Sequence, residues 1–280
     1  MSVSLIVLAA GMGTRMNSDL PKVLHHVAAA PLLHHALAAG RALEPARIVV
    51  VAGHGAAQVA KAARDFDEAA EVVVQEPQLG TAHAVGCAAP LLADADGEAI
   101  VLYGDTPFIR PETLQAMLEA RARHAVVVLG FHAADPGRYG RLIAIGEELH
   151  RIVEYKDASH KERAISLCNS GVICADAKTL FALVAEVGNA NAAGEYYLTD
   201  IVELARARGL YNDLGVHCGG AVYGDRVHVR TAQQLVKIGL ERHARIRGDL
   251  DLGTGALQGA LRRTQVAGPI VQHHNSSRTP

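Results

Sequence analysis

The chain has 280 residues, of which 50% are hydrophobic, and a formal net charge of -2 at pH 7. A chain of this size and composition can bury a core without cross-links, and its small charge argues against non-specific binding to nucleic acid. It contains no run of about 20 apolar residues and no recognisable secretory signal, so we expect no membrane span.

The cysteines and histidines show no spacing typical of a metal site or a disulfide framework. We therefore expect reduced thiols in a cytoplasmic protein. Histidines stand in adjacent pairs at 25–26, 34–35 and 273–274. Neighbouring side chains point apart on a helix or a strand, so these pairs do not predict metal ligation.

Apolar runs alternate with helical patterns over the first half of the chain. The run at residues 5–10 is typical of a buried parallel strand, and further strands are predicted at 48–51, 72–74, 100–102 and 126–129. Helices are predicted between them at 32–41, 56–63, 82–92 and 111–123, the last with Pro111 at its first position. The alternation predicts an α/β fold: a Rossmann-like, mostly parallel sheet with helices on both faces.

The pattern changes after residue 138. The elements predicted there are a hairpin of strands 141–145 and 150–155, a helix at 177–187, a loop and helix at 194–208, and a helix at 231–247. Asp176 is the expected N-cap of the first of these helices, and Thr231 opens a capping box.

The first predicted strand ends in a glycine-rich turn, Gly11-Met12-Gly13-Thr14-Arg15-Met16, followed by Pro21-Lys22. Backbone N–H groups in such a turn can hold phosphate oxygens, and Arg15 and Lys22 add positive charge. The turn lacks the Gly-Lys-Ser/Thr of a Walker loop and the third glycine of a dinucleotide fingerprint. From these residues alone it is either a polyphosphate loop or a tight βα turn with solvated charges.

Ligands of parallel α/β sheets bind outside the carboxyl ends of the strands. Gly11 and Asp105 both follow predicted strands at that end, so we expect them to share a pocket.

The opening turn resembles the signature of the sugar-nucleotide pyrophosphorylases, and most closely that of the uridylyltransferase domain of the bifunctional N-acetylglucosamine-1-phosphate enzymes. The resemblance covers residues 1–240 and recurs, in family order, in these further blocks: 75–84, 102–107, 139–141, 152–158, and 169–171 with 194–200. It implies a glycosyltransferase-A-like nucleotidyltransferase fold with a smaller sugar-binding β insertion. It also implies transfer of a uridylyl group from UTP to a sugar 1-phosphate, with N-acetylglucosamine 1-phosphate favoured and pyrophosphate released.

The resemblance also implies roles for individual residues. The implied catalytic residues are Arg15 and Lys22, and the implied ligand of Mg²⁺, the expected cofactor, is Asp105. The implied nucleotide-binding residues are Leu8, Ala9, Ala10, Gly11, Gly13, Gln75, Gly80 and Thr81. The implied sugar-binding residues are Tyr103, Gly104, Gly140, Glu154, Asn169 and Thr199.

The chemistry of these side chains is compatible with the implied roles. Gln75 offers both an acceptor and a donor, as a uracil edge requires, and a carboxylate with an amide suits sugar hydroxyls and an N-acetyl group. The hard carboxylate of Asp105 suits Mg²⁺. Other roles stay open, because Lys22 could also be a solvated surface cation and Asp105 could also be a turn residue. Glu154 also suits an ion pair with Arg151 or Lys156.

Two positions depart from the family pattern. Ala82 replaces a common glycine, which is a small change, whereas Arg230 replaces a metal-ligating asparagine. A guanidinium offers Mg²⁺ no acceptor atom. Mg²⁺ would then be held by Asp105 with phosphates and water, or Arg230 would neutralise phosphate itself, or the protein would bind without turnover. We favour the first reading, with reduced activity.

We expect residues 1–228 to form the nucleotidyltransferase domain, 229–248 a helix packed on it, and 249–280 an extension with a frayed end. No hexapeptide repeat is evident, so we expect no β-helix acetyltransferase domain. The expected partners are UTP and a sugar 1-phosphate, with neither nucleic acid nor membrane. The alternatives are another sugar 1-phosphate, a cytidylyl transfer, or a non-catalytic nucleotide-sugar binding protein.

Overall fold

The computed structural model describes residues 2–11, 13, 18–145 and 148–210, and the backbone of 214–218. Apart from residues 27–29, these belong to one structural unit. The strands are β1 (Val3–Ala9), β2 (His26–Val27), β3 (Ala30–Pro31), β4 (Arg47–Ala52), β5 (Glu71–Val74), β6 (Glu98–Tyr103), β7 (Val126–His132), β8 (Arg141–Ile145), β9 (Glu148–Val153), β10 (Leu167–Asp176) and β11 (Leu214–Cys218). The α-helices are α1 (Leu32–Arg41), α2 (Ala56–Phe66), α3 (Thr81–Ala88), α4 (Pro111–Arg121), α5 (His160–Arg163), α6 (Ala177–Val184) and α7 (Ile201–Ala207).

The main sheet has the strand order β11-β7-β10-β6-β1-β4-β5. Its pairs are parallel except for those made by β10, which runs antiparallel between β7 and β6. The hairpin of β8 and β9 joins the sheet where Arg141 pairs with Cys168. The predicted fold, a mostly parallel sheet with a smaller β insertion, is confirmed.

Two hydrophobic layers cover the faces of this sheet. Alternate residues of a strand point to opposite faces, so Ile6 and Leu8 of β1 enter one layer while Leu5 and Val7 enter the other. Buried residues of α3, α6 and α7 complete the first layer, and those of α1, α2 and α4 complete the second. Helices on both faces were predicted, and the structure confirms them.

Several predicted boundaries agree closely with the structure. Helix α1 spans the predicted residues, and Pro111 is the first residue of α4, where its missing N–H costs no hydrogen bond. Asp176 caps α6, because its Oδ1 accepts the N–H of Thr179 at 2.8 Å.

Other segments differ from their predictions for local reasons. The helix predicted at 82–92 ends at Ala88 and continues as a 3-10 turn, and the helix predicted at 177–187 ends at Val184. Strand β10 was not predicted, because the polar residues 169–171 interrupt its apolar run where the strand bulges. Helix α5 has four residues, too short for a periodic signal, and forms around a capping box of Ser159 and Glu162.

The predictions for the C-terminal segment fall outside the described residues. These are the helix at 231–247, the frayed end of the chain, and the division at residues 228 and 248, which stays a prediction. In the part that is described, the longest helices have 11 residues, and none is long and apolar enough to cross a membrane.

The packing of α1 on β1 predicts opposite effects for two glycine substitutions. A Cβ at Gly40 would lie 2.3 Å from Cδ2 of Leu5, which is fully buried and has no space to move into. At Gly86 in α3, a Cβ would make an ordinary 3.6 Å contact with Val184. We expect Gly40→Ala to lower the free energy of unfolding by about 1–3 kcal/mol through overpacking. Gly86→Ala should raise it by about 0.5–1 kcal/mol through helix propensity.

Urea unfolding of both variants and the parent chain measures these changes. If Gly40→Ala were as stable as Gly86→Ala, the result would contradict the close packing of Gly40 in α1 against Leu5.

Candidate functional site

The carboxyl ends of β1, β5 and β6 open into a cavity of about 490 Å³, within the size range of small-molecule sites. Its lining contains these residues singled out from the sequence: Leu8, Ala9, Ala10, Gly11, Gly13, Lys22, Gln75, Gly80, Thr81, Tyr103 and Asp105. It also contains Val23, Gln78, Ala84 and Glu195, which were not singled out. The three strands are parallel members of one sheet, so residues that follow them meet at one edge.

One end of the cavity carries the glycine turn and a pair of opposite charges. A Cβ at Gly11 would meet no atom within 4 Å, so a ligand can approach the backbone there, and Gly13 adopts a positive φ of 62°. The N–H groups of both glycines donate to no acceptor among the described residues. The Lys22 ammonium forms an ion pair with the Asp105 carboxylate, and 43% of the Lys22 side chain is exposed. This end therefore offers backbone donors and a cation, as a phosphate requires.

Lys22 is held at this position by its neighbours in the chain. It begins a 3-10 turn whose next two residues, Val23 and Leu24, are buried. Pro21 packs closely on Gly55, where a Cβ would lie 2.4 Å from the proline ring. Arg15, the other predicted catalytic cation, lies outside the described residues.

The cavity is also lined by Gln75, which follows β5, two strands from β1, and is almost fully buried. Its Nε2 donates to the carbonyl oxygen of Gly80 at 2.8 Å and lies 3.0 Å from Nδ1 of His83. Both amide hydrogens are thus committed within the protein, while Oε1 accepts no hydrogen bond from a described residue. The sequence predicted that Gln75 would both donate to and accept from a ligand, whereas this arrangement leaves only the acceptor Oε1 for a ligand.

Gly80 requires the absence of a side chain. Its φ is 120°, and a Cβ would lie 2.5 Å from the carbonyl oxygen of Tyr196. Its own N–H donates to no described acceptor. Gly80 is thus bonded to Gln75 through its carbonyl oxygen, and its N–H has no acceptor among the described residues.

The predicted sugar-binding residues form a second group next to the cavity. The Asn169 N–H donates to the Gly140 carbonyl at 2.9 Å, and Oγ1 of Thr199 lies 3.5 Å from Oε1 of Glu154. A Cβ at Gly140 would lie 3.1 Å from the same Glu154 oxygen. Tyr103 joins this group to the cavity, since burial and then the Glu154 charge raise the pKa of its hydroxyl.

Gly104 does not line the cavity. Its N–H donates to the Leu8 carbonyl at 2.9 Å, and a Cβ there would meet Val23 and Leu33 at 3.2 Å and 3.3 Å. It lies behind the wall formed by β1 and β6, so it supports the site from within the sheet.

Arg141 positions the loop that carries Gly140. Its guanidinium is 1% exposed and donates to the carbonyl oxygens of Gly137 at 3.0 Å, of Arg163 at 3.1 Å, and of Tyr139. Main-chain oxygens thus satisfy this buried charge, and the loop is held against the end of α5. The sequence block 139–141 drew attention to Gly140, but it could not show that Arg141 turns inward.

Carboxylates surround the sugar-side group. Burial raises the pKa of Glu154, and the charges of Asp200, Asp157 and Glu195 raise it further against the bond from Thr199. Burial, with Glu203 and Asp157, raises the pKa of Asp200 to about 6. The sequence indicated this cluster only through Glu195 and Asp200, the two acidic residues of block 194–200.

The alternative ion pair of Glu154 with Arg151 is wrong. Arg151 pairs with Glu162 on α5, and no salt bridge among the described residues includes Glu154. The carboxylate of Glu154 therefore has no basic partner among the described residues and lies against Thr199 and Gly140.

Comparison with known proteins agrees with this geometry. A family model described as the MobA-like NTP transferase domain matches residues 5–170. The bifunctional protein GlmU of Cereibacter sphaeroides (strain ATCC 17025 / ATH 2.4.3) is 70% identical over 246 residues, which are 88% of this chain and 53% of that protein. The bifunctional protein GlmU of Ruegeria pomeroyi is 62% identical over 210 residues, 75% of this chain and 47% of that protein. The chain thus spans about half the length of these relatives.

Two solved structures share the fold. A glucose-1-phosphate thymidylyltransferase from Bacillus anthracis, described as putative and in complex with a sucrose, matches with a TM-score of 0.67 and 20% identity over 90% of this chain and 98% of that one. A UDP-glucose pyrophosphorylase complexed with UDP-glucose matches with a TM-score of 0.68 and 17% identity over 88% of this chain and 100% of that one. At these identities the likeness confirms the nucleotidyltransferase-like fold.

The raised pKa of Asp200 predicts a pH-dependent loss of stability. The folded chain holds this proton up to about pH 6, whereas the ordinary pKa is 3.8. Stability therefore falls as pH rises through this interval and stays lower above it. Asp200→Asn removes the free-energy cost of ionising this carboxyl group in the folded chain. We therefore expect it to raise the free energy of unfolding by about 1 kcal/mol at neutral pH, allowing for solvent screening at this half-buried position.

Urea unfolding at pH 4, 6 and 8 measures this effect, with Glu119→Gln on α4 as the control that removes an exposed carboxylate. The account of Asp200 would be contradicted if the parent chain and Asp200→Asn differed equally at every pH.

Proposed function

Because the chain belongs to the MobA-like NTP transferase family, we propose that it transfers a uridylyl group from UTP to a sugar 1-phosphate and releases pyrophosphate. The favoured acceptor is N-acetylglucosamine 1-phosphate. The observation that carries this proposal is one cavity lined both by the glycine turn with Lys22 and by Gln75, which follows β5, two strands from β1. A nucleoside triphosphate offers phosphates to the first group and a base to the second.

Gln75 supports a preference for uracil. Uracil carries a hydrogen on N3, which Oε1 of Gln75 would accept. Its carbonyl oxygens need donors such as the Gly80 N–H, which has no acceptor among the described residues. Cytosine has an unprotonated N3, so it would place an acceptor against Oε1. UTP is therefore favoured over CTP.

The phosphate end supports a displacement that depends on positioning and charge. An oxygen of the sugar phosphate attacks the α-phosphorus of UTP, and pyrophosphate leaves with the electrons of the broken bond. In the proposed reaction Lys22 neutralises charge on the leaving phosphates, and Arg15 is expected to assist.

The residues present are compatible with a magnesium ion held partly by substrate. No group of three or more His, Cys, Asp or Glu side chains suited to a metal occurs among the described residues. Mg²⁺ commonly uses one or two carboxylates with phosphates and water, so Asp105 suffices on the protein side. When bound, the ion would supply neutralisation of phosphate charge. Arg230, in place of the family's asparagine, lies outside the described residues, so its effect remains a hypothesis.

The sugar-side group supports an acceptor rich in hydroxyl groups. Glu154, Asn169 and the Gly140 backbone combine a carboxylate, an amide and a main-chain carbonyl near Tyr103. The GlmU relatives, by their printed name, are bifunctional. The matched half supports nucleotidyl transfer for this chain, and acetyl transfer is not proposed.

We also expect the reaction to take place in the cytoplasm. Cys87, Cys168 and Cys174 are free thiols in the described part of the chain, as is usual for proteins of a reducing compartment.

Pyrophosphate release tests the proposal directly. The full chain is incubated with Mg²⁺ and UTP, CTP or dTTP, together with the 1-phosphates of N-acetylglucosamine, N-acetylmuramic acid or glucose. We expect release with UTP and N-acetylglucosamine 1-phosphate above all other pairs. A different preferred sugar would support the enzymatic alternative, and UTP binding without pyrophosphate release would support a binding protein.

Replacement of Lys22 predicts a large loss of activity. Lys22→Ala removes the described cation of the cavity, so we expect kcat/KM for UTP to fall by about 10²–10³-fold. Lys61→Ala is the matched control, since Lys61 is exposed on α2 and pairs with Asp65. Equal activity of the two variants would contradict the placement of the triphosphate at this end of the cavity.

A further inference from the structure

Two segments far apart in the sequence are joined beside the cavity. They are the turn 79–82, which reads the base in the proposed function, and a strap formed by residues 195–199. The Tyr196 N–H donates to the Leu79 carbonyl at 2.8 Å, and the Ala82 N–H donates to the Tyr196 carbonyl at 2.9 Å. Gly80 permits this close approach because it has no Cβ. The turn and the strap therefore form a continuous piece of hydrogen-bonded backbone.

The Thr81 hydroxyl adds a third link, and a side chain makes this one. Its Oγ1 accepts the Leu198 N–H at 2.9 Å. A hydrogen bond with Thr81 also opposes the rise in the pKa of Tyr103 that burial causes. Thr81, which the family resemblance assigns to the nucleotide, thus uses its hydroxyl oxygen to hold a backbone N–H of the strap.

Both partners of Thr81 belong to the acceptor half of the site. Leu198 begins the 3-10 turn that carries Thr199, whose hydroxyl lies 3.5 Å from Glu154. Tyr103 packs on Gly171, where a Cβ would lie 2.6 Å from the ring, and it lines the cavity. A shift of either partner would move a wall of the acceptor site.

We propose that Thr81 is a positioning residue, which holds the turn at Leu198, and with it Tyr103, in place for the sugar 1-phosphate. This inference rests on the proposed function. Loss of the hydroxyl leaves the Leu198 N–H without its acceptor and the Tyr103 ring without its tether, while Gln75 and Gly80 keep their contacts.

Three variants of the full chain test the proposal. Thr81→Val removes the hydroxyl at nearly constant volume, and Thr81→Ser keeps it. Thr113→Val is the matched control, because the buried Oγ1 of Thr113 has no hydrogen-bond partner among the described residues. KM for N-acetylglucosamine 1-phosphate, KM for UTP and kcat are measured, with the UTP Kd from calorimetry as a readout independent of turnover.

We expect Thr81→Val to raise KM for the sugar 1-phosphate by about 5- to 100-fold, the range for an unsatisfied buried donor, and to leave the UTP Kd unchanged. Thr81→Ser should restore the parent KM, and Thr113→Val should match the parent throughout. A Thr81→Val variant whose UTP Kd weakens as much as its sugar KM would overturn the proposal, as would equal behaviour of the valine and serine variants.

Hydrogen exchange separates this result from failure of the proposed function. The Leu198 amide should lose protection in Thr81→Val and keep it in Thr81→Ser, whatever the chain catalyses. If the parent chain releases no pyrophosphate, the proposed function fails, and the exchange result still decides whether Thr81 holds the strap. An unchanged Leu198 amide in Thr81→Val would overturn the positioning role.

Discussion

β1 pairs with β6 in a parallel register that sets Leu8 beside Tyr103. The Gly104 N–H continues this pairing by donating to the Leu8 carbonyl at 2.9 Å. The glycine turn and Asp105 therefore leave the sheet side by side, and Lys22 can pair with Asp105 across the gap. A slip of one residue would send the side chains of one strand to the opposite layer and separate these groups.

The two ends of the site differ in their electrostatics. In the described part of the glycine turn, the N–H groups of Gly11 and Gly13 have no described acceptor, and the Lys22 ammonium lies nearby, a setting suited to phosphate. The sugar side has Glu154 and neighbouring carboxylates, whose mutual repulsion and burial raise pKa values. Tyr103 and Thr81 both line the cavity, and Thr81 accepts the Leu198 N–H of the strap. The site thus has two parts of opposite electrostatic character.

Much of this arrangement could be predicted from the sequence, because local patterns determine it. The buried run before Gly11 predicted β1, Pro111 marked the start of α4, and the rule for strand ends brought Gly11 and Asp105 together. Strand β10 was missed because residues 169–171 are polar at a bulge inside the sheet. The hydrogen bonds that Gln75 and Thr81 make within the protein were not predicted, for a different reason. Thr81 bonds to Leu198, 117 residues away, and no local pattern reports such a contact.

A crystal structure of the full chain with UTP and Mg²⁺ would test the central claim most directly, because the claim concerns how one cavity divides a nucleotide between two ends. The account predicts uracil N3 within hydrogen-bond distance of Oε1 of Gln75, and the triphosphate against the glycine turn with Lys22 turned from Asp105 toward a phosphate oxygen. UTP bound elsewhere, or bound here with its base at the glycine turn, would contradict it.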